Sequence, residues 1–232
     1  MAVMYKLGKY RGNDRMSDLV CENYPVLQVM SRFGIGLGFG DKTISEVCAD
    51  AGVDESTFLV IVNLLLDRER VAEPEVDKIS LPALVDYLHN SHDYFLGFRL
   101  PAIRRELIGS IDCAAQEVSL AIFRFFDEYV AEVRNHMQYE ERTVFPYVRS
   151  LIAGQPSGRY NIGIFLRRHD QVEAKMTELK NILIKYYPAT GSNELNSTLF
   201  DIFTCEADLA SHNYIEDHLF IPAVRGLENR TK

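Results

Sequence analysis

Two stretches of the chain repeat one spacing of metal-ligating residue types. His136-Met-Gln-Tyr-Glu140 runs on into Glu141-Arg-Thr-Val-Phe-Pro146, and His212-Asn-Tyr-Ile-Glu216 into Asp217-His-Leu-Phe-Ile-Pro222. In each, a Glu follows the His by four residues and a Pro follows it by ten. Residues four apart on a helix share a face, one turn above the other. Each stretch therefore offers an imidazole and a carboxylate to the same point in space.

Donor pairs of this kind need long helices to carry them, and four amphipathic segments follow Leu81. The first bears Leu81, Leu84, Val85, Leu88, His92, Phe95 and Leu96 on one stripe. A second is expected from about Asp112 to Ile152, with Ile122, Phe126, Tyr129, Val133, His136 and Glu140 inward, closed by Gly154-Gln-Pro-Ser-Gly158. The third places Ile162, Phe165, Leu166, His169, Val172, Met176, Leu179 and Leu183 together and ends at Pro188-Ala-Thr-Gly191. Ile202, Cys205, Leu209, His212, Glu216 and Leu219 share the inner face of the fourth. Short loops between long amphipathic helices imply antiparallel neighbours, hence an all-α, up-down-up-down four-helix bundle.

Every one of these helices has a His on its apolar stripe, and two add a Glu one turn later. A lone inward His is usually a hydrogen-bonded core residue. Four of them with two inward carboxylates call for a cationic centre, because an isolated ionised carboxylate in a core is strongly unfavourable. His92, His136, Glu140, His169, His212 and Glu216 suit two borderline transition-metal ions, iron or manganese, with each Glu free to bridge; calcium or magnesium would want more oxygen donors. The order His-x-x-x-Glu differs from the Glu-x-x-His of ferritin-like carboxylate proteins, so the site is richer in nitrogen. His89 could replace His92 or hold a ligand from behind, but His92-Asp-Tyr-Phe-Leu96 better continues the stripe. Glu173, four after His169, is a further candidate carboxylate. Glu141, Asp217 and His218 fall off the inner face of a regular helix and are expected in solvent.

The remaining sequence narrows the class. The chain has 232 residues, 47% of them hydrophobic, which is enough for a globular core. With 25 Lys plus Arg against 33 Asp plus Glu, its net charge of −8 disfavours a polyanionic partner such as nucleic acid. No apolar N-terminal run resembles a signal peptide and no 18-residue apolar stretch suggests a membrane span. Cys21, Cys48, Cys113 and Cys205 are widely spaced, as expected of free thiols in a reducing cytoplasm.

Before the bundle, residues 1–16 read as a loosely held arm and 17–73 as a small helical domain. Within the latter, Ser17 is a candidate N-cap and Pro25 opens a helix that Gly34 to Gly40 break. Gly36-Leu-Gly-Phe-Gly40 lacks the strand before it and the Gly-Lys-Ser/Thr after it that a phosphate loop requires. Thr43–Asn63 has the outline of a helix-turn-helix, with Gly52 in the turn and Asp54 as a cap. No Lys or Arg lies between Thr43 and Asp67, whereas Glu46, Asp50, Asp54 and Glu55 are acidic, so a packing module is expected and not a DNA reader. Residues 74–80, with Pro74, read as a linker to the bundle over 81–232.

Taken with this layout, His136-x-x-x-Glu140 with Phe145-Pro146, His169-Asp170, and His212-x-x-x-Glu216 with Pro222 resemble the di-iron proteins for repair of iron centres, also described as regulators of cell morphogenesis and nitric oxide signalling. The resemblance extends from about Asp18 to Val224. It implies a small helical domain before a hemerythrin-like bundle, and a di-iron centre with an oxo or hydroxo bridge. The implied ligands are His92, His136, Glu140, His169, His212 and Glu216. Implied too are nitric oxide or dioxygen as small ligand, damaged iron–sulfur proteins as clients, and a role in nitrosative or oxidative stress. A non-catalytic sensor or store of either gas is the alternative. Many members carry adjacent cysteines where this chain reads Arg32-Phe-Gly-Ile-Gly-Leu-Gly-Phe-Gly40. Thiol chemistry is therefore not expected there, and the N-terminal domain is left as a protein-contact or homodimer-forming module.

Overall fold

A computed structural model describes residues 9–66, 76–111, 116–155, 160–167, 173–187 and 193–231. The chain is all-α, with no strand among the described residues. It divides into two compact units, one of residues up to Ser91 together with Tyr214–Arg230, the other of His92–Asn213.

In the first unit, α1 (Met16–Glu22), α2 (Val26–Arg32), α3 (Ile44–Ala51) and α4 (Glu55–Leu66) enclose Met16, Leu19, Met30, Ile44, Phe58 and Ile61. Helix α1 starts ahead of Ser17: Arg15 is its N-cap residue, without a side-chain cap, and the Met16 N–H donates to the Lys42 carbonyl at 3.1 Å. A buried Met side chain, not a serine cap, fixes that start. Residues 9–16 are also held more firmly than a loose arm. Tyr10 is buried, its N–H donates to Asn63 Oδ1 (2.7 Å), and its carbonyl accepts from Asn63 Nδ2 (3.0 Å).

Thr43 and Glu46 close a capping box on α3, and Gly52 ends that helix at φ +66°, where only glycine is unstrained. Asp54 then accepts from the Thr57 N–H (2.8 Å) and hydroxyl (2.6 Å) to start α4. After a 3₁₀ turn at Val76–Lys78, Ser80 N–H donates to Thr57 Oγ1 at 2.9 Å, and α5 (Leu81–Asp93) begins. Tyr87 is buried against Phe33 and takes a hydrogen bond from Arg32 Nη1 (3.4 Å), while Asn90 Nδ2 donates to the Arg32 carbonyl (2.8 Å).

The four long segments form the expected bundle, and three of them share an interruption. α5 leads through a π-turn at Tyr94–Arg99 into α6 (Leu100–Ser110). α7 (Gln116–Tyr139) passes through Glu140–Val144 into α8 (Phe145–Ile152). α11 (Asn193–Ile215) passes through Glu216–Phe220 into α12 (Ile221–Thr231). The third segment comprises α9 (Ile162–Leu166) and α10 (Glu173–Lys185). The expected boundaries at Asp112 and at 188–191 lie outside the described residues.

Each π-turn ends two residues before a proline: Pro101, Pro146 and Pro222 are second in the helices that follow. Proline has no N–H and its ring crowds the carbonyl four residues back. The N–H just ahead of it reaches five residues back instead, from Leu100 to Phe95, Phe145 to Glu140 and Ile221 to Glu216. This accounts for the proline ten residues after His136 and after His212.

Phe95, Ile103, Leu107, Ile122, Phe126, Tyr129, Val133, Met176, Leu179, Ile202 and Leu209 form one buried cluster inside the second unit. Ion pairs stitch its neighbouring helices at the surface: Arg99 to Asp201 (2.6 Å), Arg104 to Asp127 (2.7 Å) and Lys180 to Glu206. Leu166, expected inward, is exposed, because α9 ends at that residue.

Candidate metal centre

The donors lie where the interrupted helices change pitch. His92 is the penultimate residue of α5, His136 is one turn from the end of α7, and His212 sits near the end of α11. Glu140 and Glu216 are the first residues of their π-turns. His92, Glu140, His212 and Glu216 are 2%, 0%, 0% and 0% exposed, which for two carboxylates means nearly complete removal from water.

One ligand atom from each of these four residues lies within 4.8 Å of the others. His92 Nε2 is 2.8 Å from Glu140 Oε2, and His136 Nε2 is 2.8 Å from Glu140 Oε1. The centre is walled by aromatic rings. Phe145 stacks on His92 (5.4 Å, 9°), Phe95 meets His212 edge-on (5.9 Å, 78°), and Phe165 lies 6.3 Å from His136.

His169 lies outside the described residues, as does the side chain of Glu173. His89 is half-buried and does not belong to the cluster. Two expectations of solvent exposure are corrected. His218 is half-buried, stacking on Tyr214 at 3.8 Å with Nδ1 2.9 Å from the Tyr214 carbonyl. Glu141 lies 2.7 Å from His92 Nδ1 with its side chain 32% exposed. The regular helical wheel misplaces Glu141 because it lies inside a π-turn, and the downstream proline was the available signal; His218 meets Tyr214 at the interval of four that puts two residues on one face.

A family model for the Hemerythrin HHE cation binding domain matches residues 83–224, more than half of the chain. The chain belongs to the hemerythrin HHE family. No curated protein matches it in sequence.

The donor set fits the cation this hemerythrin domain is named for. A neutral imidazole carries one N–H, and on His92 a carboxylate faces each nitrogen. With the proton directed at Glu141, the Nε2 lone pair and the Glu140 oxygen point at one another and require a positive charge between them. First-row metal bonds to imidazole and carboxylate run about 2.0–2.2 Å, so two adjacent ligands at a right angle stand roughly 3 Å apart. The contacts of 2.8 Å match that edge. Imidazole with carboxylate is a borderline donor set, suited to iron or manganese.

Proposed function

We propose that this hemerythrin-like chain holds two iron ions, with manganese as the alternative metal, and acts in the cytoplasm in the response to nitrosative or oxidative stress. His92, His136, Glu140, His169, His212 and Glu216 would be its ligands, with the two glutamates as bridges and an oxo or hydroxo group completing the centre. The observation that carries this reading is the buried group His92, Glu140, His212 and Glu216 in a domain of the cation-binding family. Its layout, a small helical domain ahead of the bundle, supports membership of the iron-centre repair proteins. The repair itself would proceed by iron donation to damaged iron–sulfur proteins or by binding and reducing nitric oxide.

When bound, a ferrous pair supplies an open coordination position and up to two electrons. The chain does the rest: two carboxylates balance the ionic charge, and Phe95, Phe145 and Phe165 exclude water and favour small, weakly polar diatomic molecules. Those aromatic walls favour a second reading as well, a nitric oxide or dioxygen sensor or store without turnover. Nucleic acid is not among the proposed partners, since the helix-turn-helix outline carries no basic residue from Thr43 to Asp67. The N-terminal helices are instead proposed as a protein-contact or homodimer surface.

Anaerobic purification, metal analysis and an optical spectrum test the centre. About two irons per chain are expected, and fewer than about one, with His169→Ala changing nothing, would sink the di-iron reading. Nitric oxide added to the reduced protein with an electron donor separates the functions. Repeated formation of nitrous oxide, at two electrons and two protons per molecule, marks an enzyme. A persistent optical change without nitrous oxide marks a binder.

A further inference from the structure

We propose that Glu141 is a positioning residue: it holds the His92 ring through Nδ1 so that Nε2 faces Glu140 and the metal position. This rests on the metal-centre reading above for its function, though not for its geometry. The observation is a ring gripped from both sides by consecutive residues. Glu141 Oε1 lies 2.7 Å from Nδ1, and Glu140 Oε2 lies 2.8 Å from Nε2. An ionised carboxylate accepts only, so Nδ1 carries the proton and the metal-facing nitrogen keeps its lone pair.

On a regular helix, side chains at i and i+1 diverge by roughly 100°, and such neighbours do not converge on one small ring. Both glutamates lie in the π-turn Glu140–Val144, which Pro146 follows. That turn is what allows one buried carboxylate and one half-exposed carboxylate to reach the same imidazole. Phe145, stacked on the ring at 5.4 Å and 9°, restrains it out of plane. Glu141 sets its rotation within the plane and its tautomer. A charged acceptor on Nδ1–H also makes the ring a stronger donor, which is why partners of this kind tune metal affinity.

The test uses the full chain, with Glu141→Ala, Glu141→Gln and, as a control, Glu178→Ala, an exposed carboxylate on α10. The first readout needs no metal. Nitrogen-15 NMR of labelled histidines at fixed pH reports which ring nitrogen is protonated. Wild type and E141Q, whose amide oxygen still accepts from Nδ1–H, are expected to show His92 protonated at Nδ1. E141A is expected to shift toward the Nε2–H form, and E178A to match wild type. After ferrous loading, E141A should lose iron to a chelator about 10- to 100-fold faster than wild type, with E141Q closer to wild type.

Identical His92 nitrogen shifts in wild type and E141A overturn the inference, whatever iron does. Should wild type take up no iron while E141A still changes the tautomer, the di-iron reading fails and the positioning role stands. Glu141 is partly exposed, so E141Q is expected to melt with wild type. If E141A does not fold, E141Q and wild type decide the matter: His92 protonated at Nε2 in both overturns the inference.

Discussion

A carboxylate with no exposed surface is retained against a desolvation cost of several kcal/mol, so Glu140 must answer either to fixed cationic side chains or to an ion. Substitution separates the two. If Glu140 serves a metal, Glu140→Gln keeps its shape and hydrogen bonding in the metal-free chain. Its urea stability should then stay within about 1 kcal/mol of wild type, while iron content falls to about one ion or fewer per chain. If instead it pairs permanently cationic His92 and His136, breaking that buried pair should cost about 3–5 kcal/mol without metal. Denaturation of both metal-free proteins decides. A second carboxylate in the same unit is stabilised in the opposite protonation state. Burial, then the hydrogen bond and charge of Asp201, push the Glu106 carboxyl above its ordinary value. The folded chain thus holds this proton more tightly than the unfolded chain does. The associated stability is full below the ordinary carboxylate range and is lost as pH rises through the raised folded value. Glu106→Gln should flatten the decline in stability as pH rises above the ordinary carboxylate range. Equal slopes for the two proteins in a urea series over that rise would contradict the assignment.

At the scale of the helix, the π-turns are the feature that regular periodicity conceals. His136 and Glu140 share a face because the helix is regular up to Tyr139, and that much was legible as an interval of four. The next residue was not. Glu141 belongs on the solvent side of a regular helix, yet the widened turn places it on His92 Nδ1. His218 was missed for a simpler reason: four residues after Tyr214, it stacks on that ring along the helix surface. Pro146 and Pro222 were plain in the sequence, but their effect on the turn before them follows only from counting backbone donors. Elsewhere local chemistry sufficed: Gly52 and Asp54 stop and restart the N-terminal helices where their backbone and side-chain preferences place them. Ser17 misled because the burial of Met16 outweighed a cap. This view of the proline gives a direct expectation for Pro146→Ala. Alanine restores an N–H that can donate to the Arg142 carbonyl, and it is intrinsically the better helix former. The metal-free variant should melt at or above the wild-type temperature, yet release ferrous iron to a chelator several-fold faster as Glu141 leaves His92. Unchanged release would mean that packing alone, without the proline, maintains the turn.

At the scale of the whole chain, the candidate ligands come from segments far apart in sequence: α5, the end of α7 and the end of α11 each carry at least one. The amphipathic helices were legible because each buries one stripe, and His92, His136 and His212 because they interrupt those stripes. His169 remains a sequence expectation. Burying Glu140 and Glu216 takes two carboxylates out of water, on a chain whose net charge is already −8. Without an ion, that arrangement works against folding; with one, it works for it. Ligand binding to the folded state alone stabilises it by about 2.7 kcal/mol at a free ligand concentration 100 times the dissociation constant. For a chain of this size each kcal/mol raises the melting temperature by about 2–4 °C. Anaerobic ferrous loading should therefore raise the melting midpoint by roughly 5–11 °C, and Glu140→Gln should lose most of that gain. Calcium, which prefers more oxygen donors than this site presents, should give little. Calorimetry of the metal-free, iron-loaded and calcium-loaded chain reads all three, and equal stabilisation by calcium and iron would show that the site selects charge and not nitrogen-binding metals.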